Sequence, residues 1–158
     1  MIVLFFIHTK LENIMGNKTN WLAIIVAAAV GMGIGFLFYG ALFQDIWMAG
    51  NGLTQGETEM EMLRYGEKVE VTALPMIINT VVMFIYALIM NWLISKTDMT
   101  SWAGGATLGA AVGFIVFLNV YVTNRFAANP TSLSMVDGGY AFLLFIAMGA
   151  IIGGWRKS

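Results

Sequence analysis

Residues 99–124 read MTSWAGGATLGAAVGFIVFLNVYVTN and contain no Asp, Glu, Lys or Arg. Three more stretches lack these charged residues, and they cover residues 19–44, 71–95 and 138–155. The four stretches contain 26, 26, 25 and 18 residues in that order. Because an α-helix rises about 1.5 Å per residue, each stretch can cross a hydrocarbon layer of about 30 Å, the last one only just. We therefore predict four membrane-spanning helices.

The composition excludes disorder and disfavours a soluble globular domain. Of the 158 residues, 59% are hydrophobic and 11% are charged, with a mean hydropathy of +0.79. A soluble domain has about a quarter of its residues charged. Each tryptophan lies within a few residues of a predicted span end, where amphipathic rings favour the headgroup level. The tryptophans are Trp21, Trp47, Trp92, Trp102 and Trp155.

We predict an all-α fold, an integral membrane four-helix bundle. Residues 1–19 form an N-terminal tail and residues 20–156 form the transmembrane domain. We interpret residues 1–14 as an extension from an upstream start codon or as a segment at the membrane interface, because Met15 closely precedes the first span. The spans lie near residues 20–43, 71–95, 100–124 and 135–155.

Several classes of function are disfavoured by what the chain lacks. Without cysteine it has no disulfide, no thiolate nucleophile and no cysteine-bound metal. A net charge of -1 argues against nucleic acid as a partner, because phosphate binding requires a basic surface. The HExxH, GxSxG, P-loop and GxGxxG motifs are absent. We therefore predict no catalytic residue, no cofactor and no metal site, and we do not expect an enzyme.

The loop at residues 45–70 holds six acidic residues against Arg64 and Lys68. Thr58-Glu-Met-Glu61 has the spacing of a capping box, so we predict a short polar helix that begins near Thr58 and runs into the second span. We interpret the acidic residues as a solvated surface. A specific cation-binding role is the alternative.

Small residues recur at four-residue spacing in three of the predicted spans. In a bilayer, helices associate through close backbone approach rather than through a hydrophobic force, and glycine permits that approach. We predict that these glycines are helix-packing positions, within one bundle or between subunits. They are Gly31, Gly35, Gly105, Gly109, Gly113, Gly149 and Gly153.

Polar residues inside the spans are candidates for function, because they are costly in hydrocarbon. No Asp, Glu, Lys or Arg lies in the middle of a predicted span. Asn79 and Asn119 fall in the same half of the bundle, where we expect a structural hydrogen bond between their amides.

A second polar group lies where the third and fourth spans meet. Ser134-Met-Val-Asp137 has capping-box spacing, and we favour a structural role for Asp137 in the first turn of the fourth span. The alternative is a polar mouth that binds a small polar ligand of unknown identity. With Asn79 and Asn119, the candidate polar cluster then consists of Asn79, Asn119, Asn124, Arg125, Asp137 and Tyr140.

Several segments follow a familiar pattern. They are Asn20-Trp21-Leu-Ala-Ile24, Phe38-Tyr39-Gly40, Trp47-Met48, Thr123-Asn124, Asp137-Gly-Gly-Tyr140, Met148-Gly-Ala-Ile151 and Trp155. Together they resemble the domain of unknown function 1761 family, which comprises small prokaryotic membrane proteins with four predicted spans. The family often has Trp-Tyr-x-Pro where this chain has Phe38-Tyr39-Gly40-Ala41. The resemblance implies a four-span protein of a prokaryotic inner membrane and no established activity.

The distribution of positive residues predicts the orientation of the chain in the membrane. Five Lys and Arg lie on the side of the termini and three on the other side, so the positive-inside rule places both termini in the cytoplasm.

We expect contact with the lipid bilayer, and a homo-oligomer or a larger membrane assembly. The favoured function is a structural or interaction subunit, or a self-associating bundle, with a dry interior. The alternative is a small transporter or pore for a polar solute.

Overall fold

The computed structural model describes residues 19–58 and 61–155. In these ranges the chain forms five α-helices, one π-helical turn and a three-stranded sheet. The prediction for residues 1–14 lies outside the described residues. The elements are α1 (Trp21–Leu37), the π-helical turn (Phe38–Leu42), α2 (Gln44–Gly50), β1 (Leu53–Gln55), β2 (Met62–Arg64), β3 (Glu67–Val69), α3 (Leu74–Thr97), α4 (Trp102–Phe126) and α5 (Thr131–Gly154).

Within the described ranges, four helices are long and apolar enough to cross a membrane, which confirms the predicted all-α fold. Local signals mark where they begin. The Asn20 side chain caps α1 by accepting a hydrogen bond from the Ala23 amide at 3.2 Å. The Ser101 hydroxyl caps α4 by accepting from the Gly104 amide at 3.0 Å. Pro75 lies in the first turn of α3, where its missing N–H breaks no helical hydrogen bond.

Helix α5 lies at the centre of the bundle and contacts its neighbours in two ways. Toward α1 and α3 it packs through side chains, and the shared core includes Ile24, Met90 and Met148, each at most 1% exposed. Toward α4 it packs through backbone. Helices α3 and α4 barely touch each other, so α4 is held in place mainly by α5.

Glycines bring α4 and α5 together backbone against backbone. A Cβ built on Gly105 would overlap the carbonyl oxygen of Gly149, and one built on Gly109 would overlap that of Phe145. A Cβ on Gly113 would lie 2.9 Å from the carbonyl oxygen of Phe142. These glycines therefore pack inside one chain, which is one of the two arrangements that the sequence left open.

The remaining predicted packing glycines have different surroundings. A Cβ on Gly153 would lie 2.6 Å from the Ser101 carbonyl oxygen, so this residue belongs to the same backbone contact. A Cβ on Gly31 would meet side-chain atoms of Leu144, Met148 and Met83, at 2.7, 2.8 and 3.2 Å. Gly35 lies beside the Tyr140 ring, whose hydroxyl oxygen would be 3.4 Å from a built Cβ. The α1 glycines thus face side chains rather than backbone.

The two ends of the bundle differ in packing. We call the end where α1 ends, α3 begins, α4 ends and α5 begins the Asp137 end, and the opposite one the Trp155 end. In three helices the buried residues lie toward the Trp155 end, because none occurs beyond Gly31 in α1, before Met83 in α3 or beyond Gly113 in α4. Only α5 is buried from its first turns to its last.

The loop between α2 and α3 contains a β-sheet, so the predicted polar helix from Thr58 is wrong. Its strands are antiparallel in the order β1-β2-β3. Tyr65 and Gly66 have φ values of 53° and 86°, as in the two-residue turns that join hairpin strands. Glu61, which was expected to close the capping box, instead forms an ion pair with Lys68 of β3. The Tyr-Gly turn therefore decides this segment, and the capping-box spacing does not.

Helix α5 begins at Thr131, directly after Pro130, so the predicted capping box at Ser134 is also wrong. Proline favours the extended conformation that precedes a helix, and Ser134 lies inside the helix, where its hydroxyl donates to the Pro130 carbonyl oxygen at 3.4 Å. Asp137 lies six residues past Thr131, which is about 9 Å along the axis. Its half-buried carboxylate therefore lies in the second turn of α5 rather than in the first.

Candidate functional site

A cleft of about 460 Å³ lies at the Asp137 end, between α3 and α4, with α5 as its floor. It exists because α3 and α4 both pack on α5 yet barely contact each other. Tyr39 from the π-helical turn completes the lining. Ligand sites typically have volumes of about 300–1,000 Å³, so the cleft has the size of a site for a small molecule.

The carboxylate of Asp137 is the central polar group of the cleft. The Tyr39 hydroxyl donates to its Oδ1 at 3.2 Å, and the Asn124 side-chain amide donates to its Oδ2 at 3.1 Å. The side-chain amide of Asn129 donates in turn to Asn124 Oδ1 at 2.9 Å. One polar network thus joins the π-helical turn, the end of α4, the α4–α5 loop and α5.

Arg125 does not neutralise this carboxylate. Its guanidinium donates to the Asn129 carbonyl oxygen at 2.8 Å and to the Thr131 hydroxyl at 3.0 Å. Across residues 19–58 and 61–155, no Lys or Arg forms a salt bridge with Asp137. A carboxylate offers about four acceptor positions, and two of them are used here. Asp137 therefore keeps acceptor positions for a further donor.

Asn79 and Asn119 lie on opposite walls of the cleft, one on α3 and one on α4. Within the described part of the chain, neither side-chain amide has a hydrogen-bond partner. The expected structural hydrogen bond between them is therefore not formed. The reason is that α3 and α4 do not pack against each other at this level.

Aromatic rings flank the cleft at two depths. Beside Asp137, the Tyr39 and Tyr140 rings meet edge to face with centroids 5.1 Å apart. Farther from the Asp137 end, the Tyr86 and Phe145 rings lie 5.2 Å apart. Asp137 and Phe145 are eight residues apart on α5, so the two levels are separated by about 12 Å along the helix axis. The cleft is thus polar near Asp137 and mostly apolar at its deeper level.

The lining has the chemistry of a binding site. It provides one carboxylate, the amides of Asn79, Asn119 and Asn124, and three tyrosine hydroxyls. These groups can accept and donate hydrogen bonds, while Val116 and Leu144 offer apolar contact. Among the described residues, no group of three or more His, Cys, Asp or Glu could hold a metal ion.

One family model matches most of the chain. It is described as "Protein of unknown function (DUF1761)" and covers residues 22–153. The chain belongs to the DUF1761 family. The match confirms the resemblance carried by such segments as Asp137-Gly-Gly-Tyr140. No curated protein and no solved structure matched the chain.

The fold and the family together indicate the class of this DUF1761 protein. Its four long apolar helices indicate a multi-pass membrane protein. The description of the family names no activity, so a functional interpretation depends on the cleft itself.

The lining of the cleft includes most of the predicted polar cluster and one residue that the sequence analysis missed. Arg125 does not line it, whereas the other five do: Asn79, Asn119, Asn124, Asp137 and Tyr140. Tyr39 was missed because the sequence analysis used it only in the family resemblance, as part of Phe38-Tyr39-Gly40. It lies in the π-helical turn, where the Phe43 amide donates to the Phe38 carbonyl oxygen at 2.9 Å, and such turns are frequent at functional sites. The departure of this DUF1761 chain from Trp-Tyr-x-Pro at the same place was the one available signal.

Proposed function

We propose that this protein binds a small polar solute in the cleft at the Asp137 end, as a small transporter or a solute-binding membrane protein. The proposal rests on one observation, that five predicted polar residues surround a shared volume of about 460 Å³. The dry interior favoured from the sequence assumed that glycines draw all four helices together. Glycines do so for α4 and α5, but α3 and α4 remain apart.

The glycine ridges give less support to self-association than the sequence suggested. They were the main argument for a homo-oligomer, because exposed small residues allow helices of two subunits to approach closely. Gly105 and Gly109 face α5 of the same chain and leave no free surface for a second copy. The cleft is therefore the stronger basis for a function.

Thermal unfolding of the purified full-length protein in detergent tests solute binding. Small amines, carboxylates, polyols and amino acids are added one class at a time. A solute that binds the folded state raises the unfolding midpoint, by an amount set by its concentration relative to its Kd. We expect at least one class to raise the midpoint.

Two matched variants show whether the shift arises in the cleft. Asn119→Trp fills the cleft from the α4 wall and should abolish the shift. Leu118→Trp places the same ring one residue earlier, where Leu118 faces outward and is 46% exposed, and should retain the shift. A panel without any shift, or a shift that survives Asn119→Trp, contradicts the proposal.

A second proposal retains the role of a structural or interaction subunit in a homo-oligomer or larger membrane assembly. Helix α4 supports it. Only 17% of the residues in its most apolar 18-residue stretch are buried, against 44% for α5. Its outward face, which includes Ile115 and Leu118, is open to another helix as well as to lipid. The mass of the native detergent-solubilised particle tests this role. A mass above that of one chain is expected, and a monomer contradicts it.

We also propose an inner-membrane location in a prokaryote with both termini in the cytoplasm. The five-to-three distribution of Lys and Arg supports this orientation. In this orientation the Asp137 end faces the periplasmic side of the membrane. Alkaline phosphatase fused after Lys157 should be inactive, whereas phosphatase inserted at Gly66, in the β2–β3 turn, should be active. Periplasmic activity of the Lys157 fusion contradicts the orientation.

A further inference from the structure

We infer that the solute is an organic cation whose ammonium group binds beside the Asp137 carboxylate. The inference rests on the proposed function and specifies the ligand of the same cleft. Three features carry it: the environment of the carboxylate, the position of the aromatic rings, and the charge at the Asp137 end of the bundle.

The first feature is the carboxylate itself. Asp137 lies about 9 Å from the start of α5, is half-buried, and receives hydrogen bonds from two neutral donors, Tyr39 and Asn124. A carboxylate in such surroundings is costly unless an opposite charge compensates it. Arg125 is turned to Asn129 and Thr131, so the described part of the chain supplies no such charge. An ammonium ligand would supply it, and a neutral or anionic ligand would not.

The second feature is the arrangement of aromatic rings. Cations bind to the faces of aromatic rings within about 6 Å of the ring centroid. Tyr39 and Tyr140 stand beside the carboxylate, at the level where the ammonium group would lie. The Tyr86 and Phe145 pair, about 12 Å deeper, offers an apolar surface to a cation longer than phenethylammonium, whose own ring would lie between the two levels. The cleft therefore fits an amphiphilic cation, polar at one end and apolar at the other.

The third feature is the charge at the Asp137 end. The β-sheet lies at this end because α2, the helix before it, packs on the start of α5. In that contact, a Cβ on Gly50 would lie 2.9 Å from the Cβ of Leu133. Acidic side chains outnumber basic ones there, and a negative field attracts cations to a cleft. Apart from Asp137, the described acids at this end are Asp45, Glu57, Glu61, Glu67 and Glu70, and the bases are Arg64, Lys68 and Arg125. Glu61 is paired with Lys68, which leaves four acids against two bases.

A comparison of three probes with the same ring tests the charge preference. Phenethylammonium, 2-phenylethanol and phenylacetate differ in the charge of one end, and their binding to the full-length protein is measured by calorimetry in detergent. We expect phenethylammonium to bind at least about tenfold more tightly than the other two, because it alone compensates the carboxylate. Na⁺ and K⁺ are tested alone, and stabilisation by these ions without a preference for phenethylammonium overturns the inference.

Substitution of the carboxylate tests the position. Asp137→Asn keeps the shape of the side chain and should weaken phenethylammonium binding at least about tenfold while leaving 2-phenylethanol binding unchanged. Asp45→Asn removes an exposed acid at the same end but outside the cleft lining, and should change affinity by less than about threefold, because surface charges are screened. Equal losses in the two variants contradict the inference. If Asp137→Asn does not fold, the three-probe comparison in the unaltered protein still decides.

The outcomes separate the ligand class from the proposed function. If phenethylammonium binds no better than the alcohol, while another solute class stabilises the protein and loses this effect in Asn119→Trp, the ligand class is wrong and the proposed function stands. If no solute class binds, both are wrong.

Discussion

The Trp155 end and the Asp137 end are built from the same four apolar helices, yet only the Trp155 end is closed. There, α1, α3 and α5 share a core of side chains such as Met90, Ile94 and Ile152, none of them more than 1% exposed. At the Asp137 end the same helices carry most of the polar residues of the spans, and a cleft of about 460 Å³ separates α3 from α4. Helices of similar mean hydropathy, 1.8 to 2.3, are therefore packed closely at one end and lie apart at the other.

The contact between α4 and α5 explains part of this difference. From Gly105 to Gly113 it is made by backbone, whereas farther toward the Asp137 end the Phe117 ring packs against Gly138, 2.6 Å from a Cβ built there. The distance between α4 and α5 is thus set by backbone contact toward the Trp155 end and by the Phe117 ring toward the Asp137 end. The polar side chains collect where the backbone contact stops.

The largest expected effect comes from Gly109→Leu, which would break the closed end. The new side chain would overlap the Phe145 carbonyl oxygen, and backbone cannot move aside as a side chain end can. We expect a loss of more than about 3 kcal/mol in the free energy of unfolding. Thermal unfolding in detergent measures it. Gly33→Leu is the control, because nothing lies within 4 Å of a Cβ at Gly33, and equal stability of both variants would show that this contact does not hold α4.

A smaller effect is expected from shortening one side chain in the core of α3. Met90 is 0% exposed at the closed end, and Met76 in the same helix is 63% exposed at the Asp137 end. Met90→Ala leaves a cavity and should cost about 2 kcal/mol, the lower end of the range for such changes, because in detergent a buried apolar side chain gains little from leaving water. Met76→Ala should cost less than about 0.5 kcal/mol. Similar losses in unfolding free energy for the two variants would mean that the two ends are packed alike.

Access of water distinguishes the two ends without a large change in stability. In this cysteine-free chain, Asn79→Cys and Asn119→Cys place single thiols on the walls of the cleft, and Ala87→Cys places one where the side chain is 0% exposed. A small water-soluble methanethiosulfonate reagent in intact membranes should react at least about tenfold faster at 79 and 119, because a buried thiol reacts only after local opening. Equal, slow labelling at all three positions would restore the dry interior predicted from the sequence.

The number of long apolar helices could be predicted from the sequence, because four long stretches of the chain lack charged residues. The sequence also predicted that Gly105 and Gly109 of α4 take part in helix packing, since close approach of two helices requires small residues. The partner of that contact could not, because spacing on one helix does not indicate which helix faces it. The sheet was missed because a capping-box spacing at Thr58 matched a helix locally, while the turn at Tyr65 and Gly66 specified a hairpin.

The candidate site was predicted in composition rather than in arrangement. Asn79, Asn119 and Asp137 were selected because polar groups in spans are costly. Whether such groups pair with one another or line an open space depends on the distance between α3 and α4, which no short pattern encodes. The start of α5 shows the same limit, since Pro130 and not Ser134 determines where that helix begins.

The smallest expected effect separates glycines that the sequence analysis grouped together. A Cβ on Gly35 would lie 3.4 Å from the Tyr140 hydroxyl oxygen, an ordinary contact distance, while on Gly109 it would overlap backbone. Gly35→Ala should therefore change the free energy of unfolding by less than about 0.5 kcal/mol, because a helix gains by exchanging glycine for alanine and little has to move. Gly31→Ala should fall between the two, since only the ends of flexible side chains must shift. Thermal unfolding of Gly35→Ala, Gly31→Ala and Gly109→Ala measures this order. Equal losses at Gly35 and Gly109 would show that glycine spacing along a helix, and not the atoms each glycine faces, governs the stability of the bundle.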